Sequence, residues 1–365
     1  MIDPRVLEAM DPWLREEYGN PASRSHQHGW RAEEAVETAR TQVASLVGAC
    51  HSEIIFTSGA TESNNMVLKG LDSGIITTSI EHKSIIVPCT WLGAKSKRRI
   101  SVVEPDVNGV IDPREIADFI MSADDLVSIM LANNEVGTIQ PVADVVRHIQ
   151  HKYGSGFIHS DMAQALGKIP VNLEALGVHF ASFSSHKMYG PKGIGALYIR
   201  DDVSRLLTPL LHGGGQERGI RSGTLNVPAI VGFGKACAIA KDEICLETVR
   251  ISSLRDIFEQ RLSSAICGVG FHGGKNRLPG TSSFYLPCKD MNAFMAFISD
   301  NVSLSLGSAC MSNSGKSHVL SAMGIDDDTA LRTVRVCVGR FNTEDEIVRA
   351  VEAIEHALDK ANNGG

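Results

Sequence analysis

Short apolar runs rich in β-branched residues alternate with stretches of helical spacing through the first two-thirds of the chain. Helical spacing predicts helices over 31–47, which Gly48 closes, over 141–153 and over 226–241. The apolar runs predict seven β-strands, at 53–57, 74–78, 100–103, 126–131, 156–160, 178–183 and 195–199. Strands separated by helix-length segments predict an α/β fold with a mostly parallel sheet covered on both faces.

The pattern changes after about residue 243. A long polar helix leads into short strands at 280–286, 302–305 and 333–338, and a final amphipathic helix covers 343–361. This order predicts a smaller α+β domain. We therefore expect a large domain over 12–243 and a small C-terminal domain over 244–365, with residues 1–11 packing on the small one.

Composition excludes several classes of protein. The net charge of −7 disfavours nucleic acid as a partner, and no apolar run reaches the roughly 18 residues that a membrane span needs. The eight cysteines are scattered without a C-x-x-C pair, so we expect no metal site and no disulfide framework. Reduced thiols fit a cytoplasmic protein, or an organellar one if a presequence has been removed.

One lysine stands out chemically. Lys187 lies in S-S-H-K-M-Y-G-P-K-G (184–193), directly after the predicted strand at 178–183. A lysine at a strand end among serine and histidine side chains is placed to form a Schiff base with an aldehyde cofactor. Taken alone, the segment also fits a surface turn with a solvated lysine.

A second segment fits a phosphate site. The residues F-T-S-G-A-T-E-S-N-N (56–65) predict a strand, a glycine turn and the start of a helix. The free backbone N–H groups and the positive dipole end of such a helix start favour a phosphate. The alternative is an ordinary helix start capped by Thr61.

Polar residues also follow three other predicted strands. His82 comes after the strand at 74–78, Asn134 after the run 126–131, and Asp161 after the strand at 156–160. Ligands of open α/β sheets bind at the carboxyl ends of strands. Asp161 there can keep a pyridine nitrogen protonated and His82 can stack on an aromatic ring, although each residue alone also fits a structural role.

The complete set of motifs resembles a known family. The additional motifs are Y-G-N-P-A-S-R-S-H (18–26), E-H-K (81–83), N-N-E-V-G (133–137), H-S-D-M-A-Q (159–164), G-G-G-Q-E-R-G-I-R-S-G-T (213–224), G-S-A-C (307–310) and V-R-V-C-V-G-R-F (334–341). From about residue 3 to its end, the chain resembles the group I cysteine desulfurases of the nitrogen-fixation and iron–sulfur-cluster assembly type. The resemblance implies a homodimer with the aspartate-aminotransferase-like fold type I of pyridoxal 5'-phosphate (PLP) enzymes.

The resemblance also implies a role for each matching residue. Lys187 is expected to bind PLP covalently, and Cys310 to receive sulfur from L-cysteine as a persulfide while L-alanine forms. The expected cofactor contacts are Ala60, Thr61, Ser184 and His186 at the phosphate, Asp161, Gln164, His82 and Asn134 around the ring, and Thr224 at the partner subunit's phosphate. Asn134 and Arg335 are expected to hold the substrate carboxylate, and His82 to take part in catalysis with Lys187 and Cys310.

Three interpretations follow from this comparison. The leading one is a cysteine desulfurase that passes sulfur to acceptor proteins for iron–sulfur cluster or thio-cofactor biosynthesis. The second is a selenocysteine lyase or another PLP-dependent lyase or aminotransferase. The third is an inactive scaffold, because the chain starts after the strand and A-T-T segment with which the family normally begins.

Overall fold

The computed structural model describes residues 1–154, 156–306 and 316–363. The described chain divides into two compact units. The first contains 1–103, 112–131 and 140–244, and the second contains 104–111, 132–139 and 245 to the C-terminus. Residues 1–11 belong to the first unit, whereas the sequence assigned them to the small domain. The reason is that the backbone N–H of Asp3 donates to the carbonyl of Tyr189, 2.9 Å away.

The first unit is built on a seven-stranded sheet. Its strands are β1 (Ile54–Thr57), β2 (Ile75–Thr78), β3 (Ile100–Val103), β4 (Leu126–Ser128), β5 (Phe157–Asp161), β6 (Phe180–Ser184) and β7 (Gly195–Ile199). Their spatial order is β1-β7-β6-β5-β4-β2-β3. Only β7 runs antiparallel to its neighbours β1 and β6, while the other pairs are parallel. The predicted mostly parallel sheet is therefore confirmed.

Helices connect these strands. They are α1 (Pro4–Arg15), α2 (Gln27–Val47), α3 (Ala60–Gly70), α4 (Lys83–Ser96), α5 (Pro113–Asp118), α6 (Val142–Tyr153) and α7 (Leu173–Leu176). Gly48 ends α2 in the left-handed conformation, with φ of 68°, as its position in the sequence predicts. The apolar side chains of β1, β2, β4 and β7 are buried against α3 and α4, which forms one core of this unit.

The longest helix, α8 (Val227–Ala265), extends well beyond the predicted end at residue 241. The boundary between the two units falls inside it, after Ile244.

The second unit has a four-stranded antiparallel sheet and its own core. Its elements are β8 (Gly270–His272), β9 (Thr281–Tyr285), α9 (Met291–Ile298), β10 (Ser305–Leu306), α10 (His318–Ala322), α11 (Asp327–Leu331), β11 (Thr333–Cys337) and α12 (Glu344–Asn363). The spatial order of the strands is β10-β11-β9-β8. Phe258, Phe284, Phe294 and Ile354 are fully buried in the core that this sheet shares with the helices. Among the described residues, no helix has the length and apolarity that a membrane crossing needs.

Candidate active site

The turn that carries Lys187 begins where β6 ends. Ser185–Lys187 form one turn of 3-10 helix, and the Lys187 side chain is exposed. Gly190 closes the turn because an added Cβ would lie 2.0 Å from Ser185 Oγ. Tyr189, in the left-handed region at φ of 65°, accepts the hydrogen bond from Asp3 through its carbonyl. The lysine thus lies on a tightly packed turn.

The helix α3 begins beside this turn without a side-chain cap. Its N-cap is Gly59, and Ser63 N–H is the first to bond within the helix, 3.2 Å from the Gly59 carbonyl. A Cβ on Gly59 would lie 3.8 Å from Ser184 Oγ, and one on Gly195 would lie 2.7 Å from Gly59 Cα. Glycine at both positions lets β7, the helix start and Ser184 approach each other closely. The first N–H groups of α3, at Ala60 and Thr61, therefore lie near the Ser184 hydroxyl.

The surroundings of the Lys187 turn are rich in cationic side chains. Ser184 Oγ lies 2.9 Å from His186 Nδ1. Partial burial, together with the positive charges of Lys187, Lys192 and Lys168, lowers the pKa of His186. Uncapped N–H groups, a hydroxyl, an imidazole and lysines form a donor set that suits a phosphate.

Asp161 ends β5 and is held by two hydrogen bonds. Its Oδ1 accepts from the backbone N–H of Ala163 at 2.9 Å, and its Oδ2 accepts from Asn64 Nδ2 at 2.7 Å. The residue is 6% exposed. Gln164, predicted at the same site, lies in the following turn, where its Oε1 accepts from Lys168 Nζ at 2.7 Å.

His82 is joined to Asp161 through two side chains. It caps α4, with its Nδ1 accepting from the Ser84 N–H at 3.1 Å and lying 2.8 Å from Ser84 Oγ. The same Ser84 Oγ accepts from Asn64 Nδ2 at 2.8 Å. Sequence reasoning did not single out Asn64 and Ser84, although Asn64 lies in the 56–65 motif and Ser84 directly follows E-H-K.

Glu81 was also missed by the sequence analysis. Its side chain is fully buried, with Oε1 accepting from Met130 N–H at 2.8 Å and from the Thr78 hydroxyl at 3.0 Å. Burial, with a further contribution from the negative charge of Asp161, raises the pKa of Glu81 to about 8. A carboxyl group that stays protonated near neutral pH thus lies within electrostatic reach of Asp161.

The loop that carries Thr224 is fixed to α2 and α3 by two ion pairs and to β1 by a hydrogen bond. Glu217 accepts from Arg40 at 2.7 Å and from Phe56 N–H at 2.6 Å, and Arg221 pairs with Glu62 at 2.7 Å. Thr224 itself is exposed. The loop backbone is therefore held in place while its threonine faces outward.

The second unit brings Asn134 and Arg335 together. Arg335 on β11 donates through Nη1 to the Asn134 carbonyl and is partly buried. The turn that carries Asn134 is stabilised by Asn133, whose Oδ1 accepts from the N–H groups of Glu135 and Val136 at 2.8 and 3.0 Å. A guanidinium whose position is fixed by a carbonyl keeps further N–H groups for a carboxylate.

Cys310 lies outside the described residues. Before it in the chain, β10 pairs with β11 so that Ser305 faces Arg335. After it, Ser317 caps α10 and donates to Glu135 Oε2 at 2.5 Å.

Comparison with known proteins identifies the family. The Aminotransferase class-V family model matches residues 1–349. The chain belongs to the class-V aminotransferases. Their members are PLP-dependent enzymes, and the fold described above is the α/β fold of NifS-like class-V structures.

Curated relatives and solved structures match this chain over almost its whole length. It is 44% identical over 98% of its length to the cysteine desulfurase IscS of Rickettsia africae, covering 89% of that protein. It is 43% identical over 96% of its length to the cysteine desulfurase IscS of Anaeromyxobacter dehalogenans, covering 88% of it. A solved structure titled a NifS-like protein superposes with a TM-score of 0.91 at 40% identity, covering 98% of this chain and 96% of that one.

The residues of the first unit fit the class-V cofactor. A phosphate binds to free donors, and the start of α3, which has no side-chain cap among the described residues, provides backbone N–H groups beside the Ser184 hydroxyl. A protonated pyridine nitrogen requires a carboxylate, and Asp161 supplies one at a strand end. The aldehyde requires an accessible amine, and Lys187 is exposed on the turn that follows β6.

Proposed function

We propose that the chain is a PLP-dependent cysteine desulfurase that converts L-cysteine to L-alanine. The proposal rests on one observation: a chain similar to cysteine desulfurases over 98% of its length retains both Lys187 and Cys310. Lys187 argues against an inactive scaffold, and Cys310 argues against a simple aminotransferase, which needs no thiol nucleophile.

In this proposal the first unit holds the cofactor. Ala60, Thr61, Ser184 and His186 bind its phosphate, Asp161 pairs with the ring nitrogen, Gln164 reaches the ring hydroxyl and His82 stacks on the ring. Lys187 is the covalent attachment point. When bound there, PLP supplies an electron sink that stabilises negative charge at the substrate Cα.

The protein residues then act on the substrate. Asn134 and Arg335 orient the carboxylate of L-cysteine, which brings the Cα hydrogen to a defined position. The Lys187 amine removes the Cα proton. The Cys310 thiolate attacks the substrate sulfur, so that an S–S bond forms as the C–S bond breaks and the sulfur stays on Cys310 as a persulfide. The electron pair of the C–S bond stays with the substrate Cβ, which takes up a proton to become the methyl group of alanine.

We further propose that the enzyme is a homodimer that delivers the persulfide sulfur to acceptor proteins. The exposed position of Thr224 on a fixed loop supports a contact with the partner subunit's cofactor. The similarity to IscS proteins of bacteria supports a cytoplasmic enzyme that serves iron–sulfur cluster assembly.

The decisive experiment is a visible spectrum of the purified protein before and after L-cysteine is added, with alanine quantified in parallel. We expect a yellow protein whose absorption band shifts while alanine forms. Lys187→Ala should lose the band, and Cys310→Ser should keep the band and lose sulfide release. A yellow protein that forms alanine from L-selenocysteine but none from L-cysteine would refute the proposal.

A further inference from the structure

The amide of Asn64 connects two residues of the candidate site. Asn64 is fully buried, and its Nδ2 lies 2.7 Å from Asp161 Oδ2 and 2.8 Å from Ser84 Oγ. The amide NH2 group has two hydrogens and no acceptor lone pair. One hydrogen therefore goes to the carboxylate and the other to the hydroxyl.

The direction of the next hydrogen bond follows from this one. Ser84 Oγ accepts from Asn64, so its own hydrogen is available for the nearest acceptor, His82 Nδ1, at 2.8 Å. The backbone N–H of Ser84 points at the same nitrogen from 3.1 Å. A ring nitrogen that accepts two hydrogen bonds carries no proton, so the proton of neutral His82 is on Nε2.

The opposite orientation of the amide is unfavourable. It would place the amide oxygen Oδ1 against the carboxylate oxygen Asp161 Oδ2 and so replace a hydrogen bond with two facing acceptors. In the observed orientation Oδ1 has no hydrogen-bond partner among the described residues. The buried acceptor is left unpaired so that both hydrogens reach Asp161 and Ser84.

We propose that Asn64 and Ser84 are positioning residues that set the tautomer of His82 and link it to the Asp161 carboxylate. The Nε2–H of His82 is then a fixed donor, and its Nδ1 is unavailable to substrate. The tautomer follows from the geometry alone, whereas its consequence for turnover rests on the proposed desulfurase function.

The test is ¹⁵N NMR of histidine-labelled protein from which the cofactor has been removed, with His82→Asn used to assign the resonances. We expect the Nε2-protonated tautomer in the native protein. In Ser84→Ala, Nδ1 loses the hydroxyl hydrogen bond at 2.8 Å and keeps the longer backbone one at 3.1 Å, so its resonance should shift and the Nδ1-protonated tautomer should become populated. Ser84→Thr, which keeps the hydroxyl, should restore the native spectrum.

Asn64→Leu tests the first link of the chain. Loss of the amide frees the Ser84 hydroxyl to rotate, so the His82 Nδ1 resonance should shift in the same direction as in Ser84→Ala. His159 is the internal control because its ring nitrogens face Ser128 and Ser182 hydroxyls, each 2.9 Å away, and contact neither Asn64 nor Ser84. Its resonances should stay in place in every variant.

Turnover gives an independent measurement on the PLP-loaded enzyme. We expect kcat for alanine formation to fall roughly tenfold or more in Ser84→Ala, with Ser84→Thr close to native, because His82 is expected to take part in catalysis and the variant changes which ring nitrogen carries its proton. An Nδ1-protonated His82 in the native protein, or a Ser84→Ala spectrum identical to native, would overturn the proposal. Native protein with the expected tautomer but no alanine formation would instead refute only the proposed function.

Discussion

A buried carboxyl group near a second carboxylate makes the stability of the first unit dependent on pH. The pKa of Glu81 is raised from its ordinary value of 4.5 to about 8 by burial. Between these values the unfolded chain loses a proton that the folded chain retains. Folding therefore becomes less favourable as pH rises through this window.

Glu81→Gln is expected to remove this dependence. Glutamine is neutral at every pH and its Oε1 can still accept from Met130 and Thr78. We expect the thermal midpoint of the cofactor-free variant to exceed that of the native protein at pH 8 and to approach it near pH 4.5. The difference corresponds to a few kcal/mol, since each pKa unit represents about 1.4 kcal/mol. A midpoint difference that does not change with pH would contradict this assignment.

Arg335 provides a second prediction at the scale of one residue. Lysine keeps the charge but cannot bind both the Asn134 carbonyl and a carboxylate in a forked geometry. We expect Arg335→Lys to raise KM for L-cysteine about 10- to 100-fold, which matches the 1.5–3 kcal/mol of a charged hydrogen bond. Arg332→Lys, at an exposed ion pair with Asp328, is the control and should leave KM unchanged. An unchanged KM in Arg335→Lys would exclude this carboxylate role.

Residues at strand ends could be predicted from the sequence, whereas the buried polar residues behind them could not. Lys187, Asp161 and His82 each follow an apolar run, so the pattern itself indicates an edge where ligands bind. Asn64 and Ser84 lie on helices, where one polar residue is compatible with a solvated face. Their importance depends on contacts across the unit, which no local pattern contains.

At the scale of elements, the loop 213–224 depends on a buried ion pair. The Arg40 and Glu217 side chains are only 10% and 1% exposed, and Glu217 also bonds to the backbone of β1. Glu217 itself has a positive φ of 49°, a conformation that needs support from its surroundings. The pair thus connects α2, β1 and the loop that carries Thr224.

Glu217→Gln should lower the free energy of unfolding more than a matched substitution at an exposed ion pair. The variant removes the buried counter-charge of Arg40 and leaves its guanidinium only the half-exposed Glu37 carboxylate, 3.0 Å away, so we expect a loss of about 3 kcal/mol in the free energy of unfolding. Asp11→Asn is the matched control, because Arg15 and Asp11 are 73% and 54% exposed. That control should cost less than about 1 kcal/mol. Equal losses in denaturant titrations of the two variants would contradict the role of the buried pair.

The seven predicted strands of the first unit are confirmed within a few residues, because apolar runs bounded by turns identify buried strands well. Several features of the elements were not predicted, among them β8, the direction of β7 and the length of α8. The strand β8 (Gly270–His272) is short and contains only one large apolar residue. The direction of β7 also escaped prediction, since a strand's sequence is the same whether its neighbours run parallel or antiparallel.

At the scale of the whole molecule, the proposed role of Thr224 can be tested with mixed dimers. Co-expression with two different tags yields dimers that carry Lys187→Ala in one subunit and Thr224→Val in the other. A second preparation carries both changes in one subunit beside a native partner. If Thr224 acts on the partner's cofactor, the site that retains Lys187 is complete only in the first preparation.

We therefore expect native PLP affinity at that site when the changes lie on separate subunits, and weaker binding when one subunit carries both. The expected loss is about 5- to 10-fold, equivalent to about 1 kcal/mol for one hydrogen bond. The reverse pattern would show that Thr224 acts within its own subunit. Failure to recover any mixed dimer would argue against the homodimer.

The position of β1 in the sheet has a consequence for synthesis of the chain. β1 (Ile54–Thr57) pairs with β7 (Gly195–Ile199). Of the seven strands in this sheet, β1 is therefore synthesised first, whereas the strand it pairs with is synthesised last. At about 5–20 residues per second, this delay is on the order of ten seconds. During that interval the backbone N–H and C=O groups of this apolar strand lack the strand they pair with, which favours aggregation. Nascent chains stalled before Gly195 should therefore be the form of this protein most dependent on chaperones.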